Sequence, residues 1–455
     1  VEAIAIFDIG KTNKKLLVFD SNYELIHEQS ARFDEIADED GDPCEDLSSL
    51  VSWMRQSLQT LQDRSLPVTA INFSAYGASF VHLDDKGKPL TPLYNYLKPY
   101  PDGMQASLHA RWGGTDAFSQ STASPALGNL NSGLQLYRLK QQKPQLFAQI
   151  KYSLHLPQFL SYLLTGKPVT DITSIGCHTG LWDFAANDYH AWVSEEGMLE
   201  KFAPLVSCDS VFPALHPPGL HCGTGLHDSS AALIPYLDSF TAPFLLLSTG
   251  TWCISLNPFN TSLLTTDELK QDCLCYLQYN GRPVKAARLF AGQEHEVHVN
   301  RIADHFQLQP AFYENIRFNP ALLGKDESSA PLTVGDNQLP ASAFAQRGLR
   351  DYPDAATAYH RLMADIMHAQ LKSTRLVLNG SDVSTIYVDG GFSKNHLYMQ
   401  LLAAAFPDKK VYAASVAQAS ALGAALAIRN SWNKNNCSPS LVNTELYPPV
   451  WVNHV

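Results

Sequence analysis

Apolar residues recur along this chain in two alternating rhythms. Residues 3–9 (AIAIFDI) form an almost unbroken apolar run that predicts a buried strand, and residues 15–20 (KLLVFD) predict a second. The intervening GKTNK is turn chemistry, so the chain opens strand–turn–strand. Leu47, Leu50, Val51, Met54, Leu58 and Leu61 then return at spacings of three and four, which predicts an amphipathic helix over 46–62. Strand signals resume at 69–74 (TAINFS). Leu156 to Leu164 reads as a helix that stops at Thr165-Gly166.

A second cycle begins near residue 243. PFLLLSTGTWCISL repeats the opening plan: apolar residues, a Gly-Thr turn, apolar residues. A helix over 355–378 follows, then the strand TIYVDGG, a helix over 394–405, the short strand VYAA and an Ala-rich helix over 418–429. The repeated plan predicts an α/β protein of two related domains, 1–238 and 239–455. A length of 455 residues suits two to three domains at about 150 residues each. Residues 307–353, rich in Pro and polar residues, read as an irregular insertion at the domain edge.

Composition narrows the function classes. The chain is 45% hydrophobic and 17% charged, with a net charge of -11. That balance argues against a nucleic-acid or membrane-surface partner, whose footprint is a basic face. A phosphate-bearing ligand stays open, because a few local donors suffice for one. No apolar run approaches the roughly 18 residues that span a bilayer, and the first residues do not read as a signal peptide. The eight cysteines are scattered; only Cys273 and Cys275 are close, and no second pair sits at zinc spacing. A cytoplasmic protein with reduced thiols is the expectation.

Five short stretches carry chemistry. In Asp8-Ile9-Gly10-Lys11-Thr12-Asn13-Lys14-Lys15, a glycine turn offers backbone N–H groups to a phosphate. Thr12 and Asn13 add donors, Lys11 and Lys15 add positive charge, and Asp8 suits a magnesium ion. A plain polar hairpin is the competing reading. A P-loop is rejected: it needs Gly where Ala5 stands and a helix where a strand follows. Ser248-Thr249-Gly250-Thr251-Trp252 is a second turn of the same kind. Asp389-Gly390-Gly391-Phe392-Ser393 joins a strand to a helix, where paired glycines admit a ligand to the backbone. It is not G-x-G-x-x-G, so a dinucleotide fingerprint is not supported. In Gly223-Thr224-Gly225-Leu226-His227-Asp228, Asp228 reads either as a helix N-cap or as a base that takes a proton from a hydroxyl. His227 reads as a sugar-orienting or a structural histidine. Glu294-His295-Glu296-Val297-His298 resembles a metal cluster, but H-e-x-x-h spacing needs His at Val299, so a polar helix face is expected. There is no G-x-S-x-G elbow.

Taken in order, these motifs resemble the FGGY carbohydrate kinases. The resemblance runs through the Asp8-x-Gly10 turn, Phe73-Ser74-Ala75-Tyr76-Gly77, Leu164-Thr165-Gly166 and Thr170-Asp171-Ile172-Thr173-Ser174. It continues through His227-Asp228, Gly250-Thr251-Trp252, Asp389-Gly390-Gly391 and Ala421-Leu422-Gly423-Ala424-Ala425. It implies two actin-like (ribonuclease H-like) ATPase domains, an N-terminal sugar-binding one and a C-terminal nucleotide-binding one, with the site in the cleft. By this resemblance Asp228 falls on the catalytic base and Asp8 on the magnesium-associated acid. Gly10 to Lys15 and Gly250-Thr251 fall on the phosphate turns, and Gly390-Gly391 on the adenosine turn. His227-Asp228 and Gly77-Ala78-Ser79-Phe80 look most like the rhamnulose and fuculose kinase branches, which makes Tyr76, Gly77, Ser79 and His227 the sugar-site residues.

The chain departs from the family pattern in places. Lys11 and Asn13 replace a Thr and a Ser of the first turn, Ser79 replaces an acid of the rhamnulose kinases, Gln418 replaces a Glu, and Phe392 replaces a third Gly. The expected reaction is transfer of the ATP γ-phosphoryl group, with Mg²⁺, to a hydroxyl of a ketose. A non-catalytic sugar or nucleotide sensor on the same scaffold is the second reading. No interface is legible; a homodimer is the oligomer to expect on general frequency.

Overall fold

Strand β1 (Ala3–Ile9) is buried along its length except at Asp8, as its apolar run requires. It pairs antiparallel with β2 (Lys14–Asp20), which in turn pairs with β3 (Leu25–Ala31). These and all other descriptions come from a computed structural model that describes residues 2–323, 343–435 and 441–449. Helix α1 (Leu47–Asp63) begins at Asp46, whose carboxylate accepts the Ser49 N–H at 3.0 Å. It buries Leu50, Trp53, Met54, Leu58 and Leu61, and Trp53 meets Phe7 edge-on at 5.6 Å. Strand β4 (Val68–Ala75) lies parallel to β1 on its other side. Helix α2 (Leu156–Thr165) ends at Gly166. Strands β5 (Val211–Pro213) and β6 (His221–Gly223) complete the sheet order β5-β6-β4-β1-β2-β3, and β7 (Leu226–His227) pairs with the far end of β4.

Helix α3 (Asp228–Ser239) follows, and the second half repeats the plan. Strand β8 (Phe244–Thr249) pairs antiparallel with β9 (Cys253–Asn257). Strands β10 (Cys273–Leu277) and β11 (Pro283–Leu289) extend that side. Helix α4 (Ala291–Phe306) and helix α5 (Ala355–Leu378) precede β12 (Thr385–Gly390), which lies parallel to β8. Helix α6 (His396–Ala405), β13 (Lys410–Ser415), helix α7 (Ala419–Ala427) and β14 (Asn443–Tyr447) close the order β10-β11-β9-β8-β12-β13-β14. Each half therefore sets an antiparallel hairpin beside a parallel strand, as the repeated sequence plan predicts.

The two halves are stitched by their helices. Leu233 and Tyr236 of α3 pack with Phe244, Leu246 and Tyr387 of the second sheet. Ala421, Leu422, Ala424 and Ala425 of α7 pack with Ile4, Ile6, Leu17 and Phe19 of the first. Asn72 of β4, wholly buried, donates to the Ala424 carbonyl at 2.8 Å and accepts the Gly225 N–H at 3.0 Å.

Residues 324–342 of the expected insertion lie outside the described residues. Its described flanks are short 3₁₀ turns, Pro310–Asn315, Pro320–Leu322, Ala343–Gln346 and Leu349–Asp351. Phe344 and Leu349 of these flanks are buried in the core formed with α5.

Among the described residues, no helix is long and apolar enough to cross a membrane. The seven described cysteines are free and buried.

Candidate active site

The turn between β1 and β2 is closed by the Gly10 N–H donating to the Asn13 carbonyl at 2.9 Å. Asp8, Gly10, Thr12, Asn13 and Lys15 from this hairpin line a cavity of about 270 Å³ together with Asp228 and Ser420. Asp228 opens α3 and Ser420 lies in the first turn of α7, so the cavity is built where the two halves meet. Two hydrogen bonds cross it: Ser420 Oγ donates to Asp8 Oδ2 at 2.8 Å, and Lys15 Nζ donates to Gln418 Oε1 at 3.2 Å.

The N-cap position of α3 belongs to His227, and Asp228 stands one residue inside the helix, accepting the Ser229 N–H at 2.6 Å. The capping reading of Asp228 therefore fails. Burial pushes its carboxyl up to about 6, against the two Ser229 hydrogen bonds, which pull it down. Burial likewise raises Asp8; the Ser420 hydroxyl opposes that, and the nearby Asp228 charge adds to it. Two carboxylates facing one small polar cavity carry negative charge that Lys15 offsets in part. Mg²⁺ takes oxygen ligands and binds through one or two carboxylates plus substrate phosphates. The donor set of Asp8 and Asp228, beside the oxygens of Thr12 and Asn13, fits that ion.

Next to this cavity, the His227 ring presses its Nε2–Cδ2 edge against Gly77. A Cβ at residue 77 would stand 2.6 Å from His227 Nε2, so only glycine admits the ring. His227 Nε2 is 3.6 Å from Asp228 Oδ1. Burial lowers its pKa to about 4, which leaves the imidazole neutral at pH 7.

Three expected site residues are drawn elsewhere. Ser79 is buried and its hydroxyl donates to the Tyr94 carbonyl at 3.3 Å. The Tyr76 hydroxyl donates to Glu45 Oε2 at 3.1 Å. Lys11 pairs with Glu35 at 2.8 Å and is not part of the cavity wall. A buried Glu45, held by the buried Lys14 at 2.7 Å, organises polar partners behind the turn.

The second turn and the paired glycines form one unit. Thr249 is its clasp: its hydroxyl donates to the Asp389 carbonyl at 2.6 Å and accepts the Phe392 N–H at 3.0 Å. Its carbonyl accepts the Gly391 N–H at 2.8 Å. Gly390 sits at φ +93°, and a Cβ there would lie 1.9 Å from the Thr249 carbonyl oxygen. Gly250, Thr251 and Gly391 then line a larger cavity, about 860 Å³, with His295, Glu296, Asn300, Tyr313, Phe392 and Asn395 among the other walls. The expected polar helix face is thereby corrected. His295 and His298 are buried in α4, and His295 meets the Tyr359 hydroxyl at 3.0 Å and packs edge-on against Tyr313 and Phe392. Among the described residues no cluster suited to a metal by three or more His, Cys, Asp or Glu is present.

Profiles of known families match both halves. The N-terminal domain of the FGGY family of carbohydrate kinases matches residues 3–228, and the C-terminal domain of FGGY carbohydrate kinases matches residues 241–436. The chain belongs to the FGGY carbohydrate kinase family. A rhamnulokinase of Halalkalibacterium halodurans is 25% identical over 268 residues, 54% of this chain and 54% of that protein, so the match spans about half of that relative. A rhamnulokinase of Yersinia pestis is 23% identical over 422 residues, 87% of this chain and 84% of that one. The crystal structure of a carbohydrate kinase from Novosphingobium aromaticivorans superposes with a TM-score of 0.79 at 24% identity, covering 99% of this chain and 96% of that one. The fold is the two-domain actin-like architecture of FGGY kinases.

Within this FGGY chain, several residues in or beside the walls lie outside the short motifs. Ser420, and Gln418 noted above, reach the first turn across more than 400 residues of sequence. Tyr359, inside the apolar stripe of α5, holds both His295 and Asn395 through its hydroxyl. Arg288 lies over the Trp252 ring at 5.4 Å and is clamped by Asp272 at 2.7 Å. The one available signal was the polar run Glu294 to His298, whose two histidines were too costly to bury without partners.

Proposed function

We propose that this FGGY-family chain transfers the γ-phosphoryl group of ATP to a hydroxyl of a ketose: a 6-deoxyketohexose such as L-rhamnulose or L-fuculose, or a ketopentose. The observation that carries the reading is the half-buried Asp228 carboxylate, raised to about 6 and facing the glycine turn across a cavity of about 270 Å³. At pH 7 such a group is about nine-tenths ionised, by the one-unit gap between its pKa and the pH. It is thus both available and basic enough to receive a hydroxyl proton.

Phosphoryl transfer asks for positioning and charge stabilisation more than covalent chemistry. Gly10 to Asn13 offer N–H and side-chain donors to phosphate oxygens, and Lys15 offers its ammonium. Gly250 and Thr251 do the same from the other half. The larger cavity, walled by Tyr313, Phe392 and His295, suits a nucleoside. Asp8 and Asp228 would hold Mg²⁺, which when bound neutralises phosphate charge. Neutral His227, braced on Gly77, orients a sugar hydroxyl toward Asp228 Oδ1. Domain closure then excludes water, the competing acceptor. The relatives named rhamnulokinase support the 6-deoxyketohexose class.

The test is coupled ADP release with Mg-ATP across L-rhamnulose, L-fuculose, D-xylulose, L-ribulose, D-fructose and glycerol, with Asp228→Asn beside the wild type. One acceptor whose turnover vanishes in the variant supports the reading and names the sugar. ATP binding with no acceptor-dependent ADP release overturns it in favour of a sensor.

A further inference from the structure

Behind the proposed base lies a buried polar chain that the transfer reaction does not itself use. Asp171 is fully buried, yet its carboxylate is saturated with donors. Oδ1 accepts the N–H groups of Thr173 at 2.9 Å and Ser174 at 3.2 Å, and also the Thr173 hydroxyl. Oδ2 accepts the Cys208 thiol at 2.6 Å. With its proton committed to Asp171, the Thr173 hydroxyl has only its oxygen to offer, and that oxygen accepts the main-chain N–H of His227 at 2.9 Å. His227 is the last residue of β7, and Asp228 is the next.

We propose that Asp171 and Thr173 are positioning residues that hold Asp228 in register, acting through the His227 N–H. The proposal rests on Asp228 being the base. Three segments meet in this chain of bonds: 170–174, 205–208 and 226–228, the first two also joined by the pairing of Thr170–Asp171 with Leu205–Val206. A buried, fully hydrogen-bonded carboxylate is a costly way to join three segments, since apolar packing does so at lower cost. What it adds is direction. A carboxylate oxygen held by three donors fixes the Thr173 rotamer, and that rotamer fixes the main chain at the point where strand turns to helix. Successive hydrogen bonds of this kind polarise one another and stiffen the set. A displacement of about 1 Å at a reacting group is enough to cost about a hundredfold in rate.

The experiment compares Thr173→Val, Thr173→Ser and Thr173→Ala, each in the wild-type and the Asp228→Asn background. Assays use Mg-ATP and the best acceptor of the sugar panel. Thr173→Val is expected to lower kcat about 10- to 100-fold, with KM for sugar and for ATP within about threefold. Thr173→Ser is expected to restore kcat to within about threefold of wild type, because it keeps the hydroxyl. In the Asp228→Asn background Thr173→Val is expected to change the residual rate by less than about twofold, since coupled residues do not add. Equal fractional losses in both backgrounds, or an unchanged kcat in Thr173→Val, overturn the proposal. If the valine variant does not fold, Thr173→Ala is read in its place. Hydrogen exchange of the segment 224–230, measured without substrate, separates this proposal from the base assignment. Exchange there is expected to quicken in the valine and alanine variants and not in the serine variant. Unchanged exchange overturns the positioning role even if Asp228 is the base, and a normal kcat in Asp228→Asn overturns the base role whatever the exchange shows.

Discussion

Asp228→Asn should make the protein more stable as it makes it less active. The reason is the position of the carboxylate. Burial raises its pKa from 3.8 to about 6, a displacement of about two units. At 1.36 kcal/mol per unit this is about 3 kcal/mol of unfavourable ionisation. The side chain keeps 35% exposure toward the cleft, so solvent screening reduces the figure to about 1–2 kcal/mol. The sign follows from proton counting. Between pH 4 and pH 6 the folded protein holds the Asp228 proton and the unfolded chain has released it. Wild-type stability therefore falls as pH climbs through that window, and the full penalty is present above it. Asparagine has no such term, and its amide oxygen still accepts the Ser229 N–H that Oδ1 accepts at 2.6 Å.

The assay is thermal melting of both proteins from pH 4.5 to 8, without ligand. The melting temperature of Asp228→Asn should exceed that of the wild type by about 1–4 °C at pH 7.5, using the scaling for large domains, and the gap should shrink toward pH 4.5. Under the same conditions kcat should fall by about 10²–10⁴, the range of a general base. A gap that is flat with pH, or a variant less stable at pH 7.5, refutes the desolvation argument. A near-normal kcat refutes the assignment of the base.

Asp8→Asn should raise the Mg²⁺ concentration needed for half-maximal turnover about tenfold or more, because one of the two proposed carboxylate ligands is lost; an unchanged magnesium titration would place the ion elsewhere. Gly77→Ala drives a methyl to within 2.6 Å of His227 Nε2; sugar KM should rise or kcat fall by about tenfold through misplacement, while ADP affinity by calorimetry stays within about twofold. Gly390→Ala places a side chain at φ +93° and 1.9 Å from the Thr249 oxygen; a loss of about 1–3 kcal/mol in stability and weakened ADP binding are expected, and normal ADP affinity would show that this turn does not meet the nucleotide.

Local pattern carried much of the fold. Ala3–Ile9 and Ala355–Leu378 begin and end where their apolar rhythms do, because strand and helix periods are set by neighbouring residues. The repeat of hairpin plus parallel strand was legible for the same reason. The candidate site was legible mainly where its residues sit on or beside turns. Asp8, Gly10, Asp228 and Gly391 stand at strand ends, where a short motif is also a place in the fold. Ser79 misled because its position in the turn says nothing of which way the hydroxyl points, and Tyr94 claims it from another strand. Lys11 misled because Glu35 and Glu45 lie within its reach and outcompete the turn. Ser420 and Tyr359 were hidden for a different reason: each belongs to a helix whose apolar periodicity masks a single polar side chain.

The helix exchange between the halves bears on how such a site can both open and stay accurate. Asp228 directly follows a strand of the first sheet and begins a helix whose Leu233 and Tyr236 rest on the second. Tyr236 also donates to Asp389 Oδ2 at 2.7 Å, on the strand that leads to the paired glycines. Ser420 is placed in the mirrored way, on a helix of the second half that rests on the first sheet and reaches Asp8. Both acids thus lie at the seam of the two halves, each tied to elements of both sheets. Gly250, Thr251 and Gly391 lie away from it, on the second sheet alone. If the halves rotate about that seam, Asp8 and Asp228 keep their spacing while Gly250, Thr251 and Gly391 swing further. The bonds behind His227 brace the junction from which α3 crosses to the second sheet.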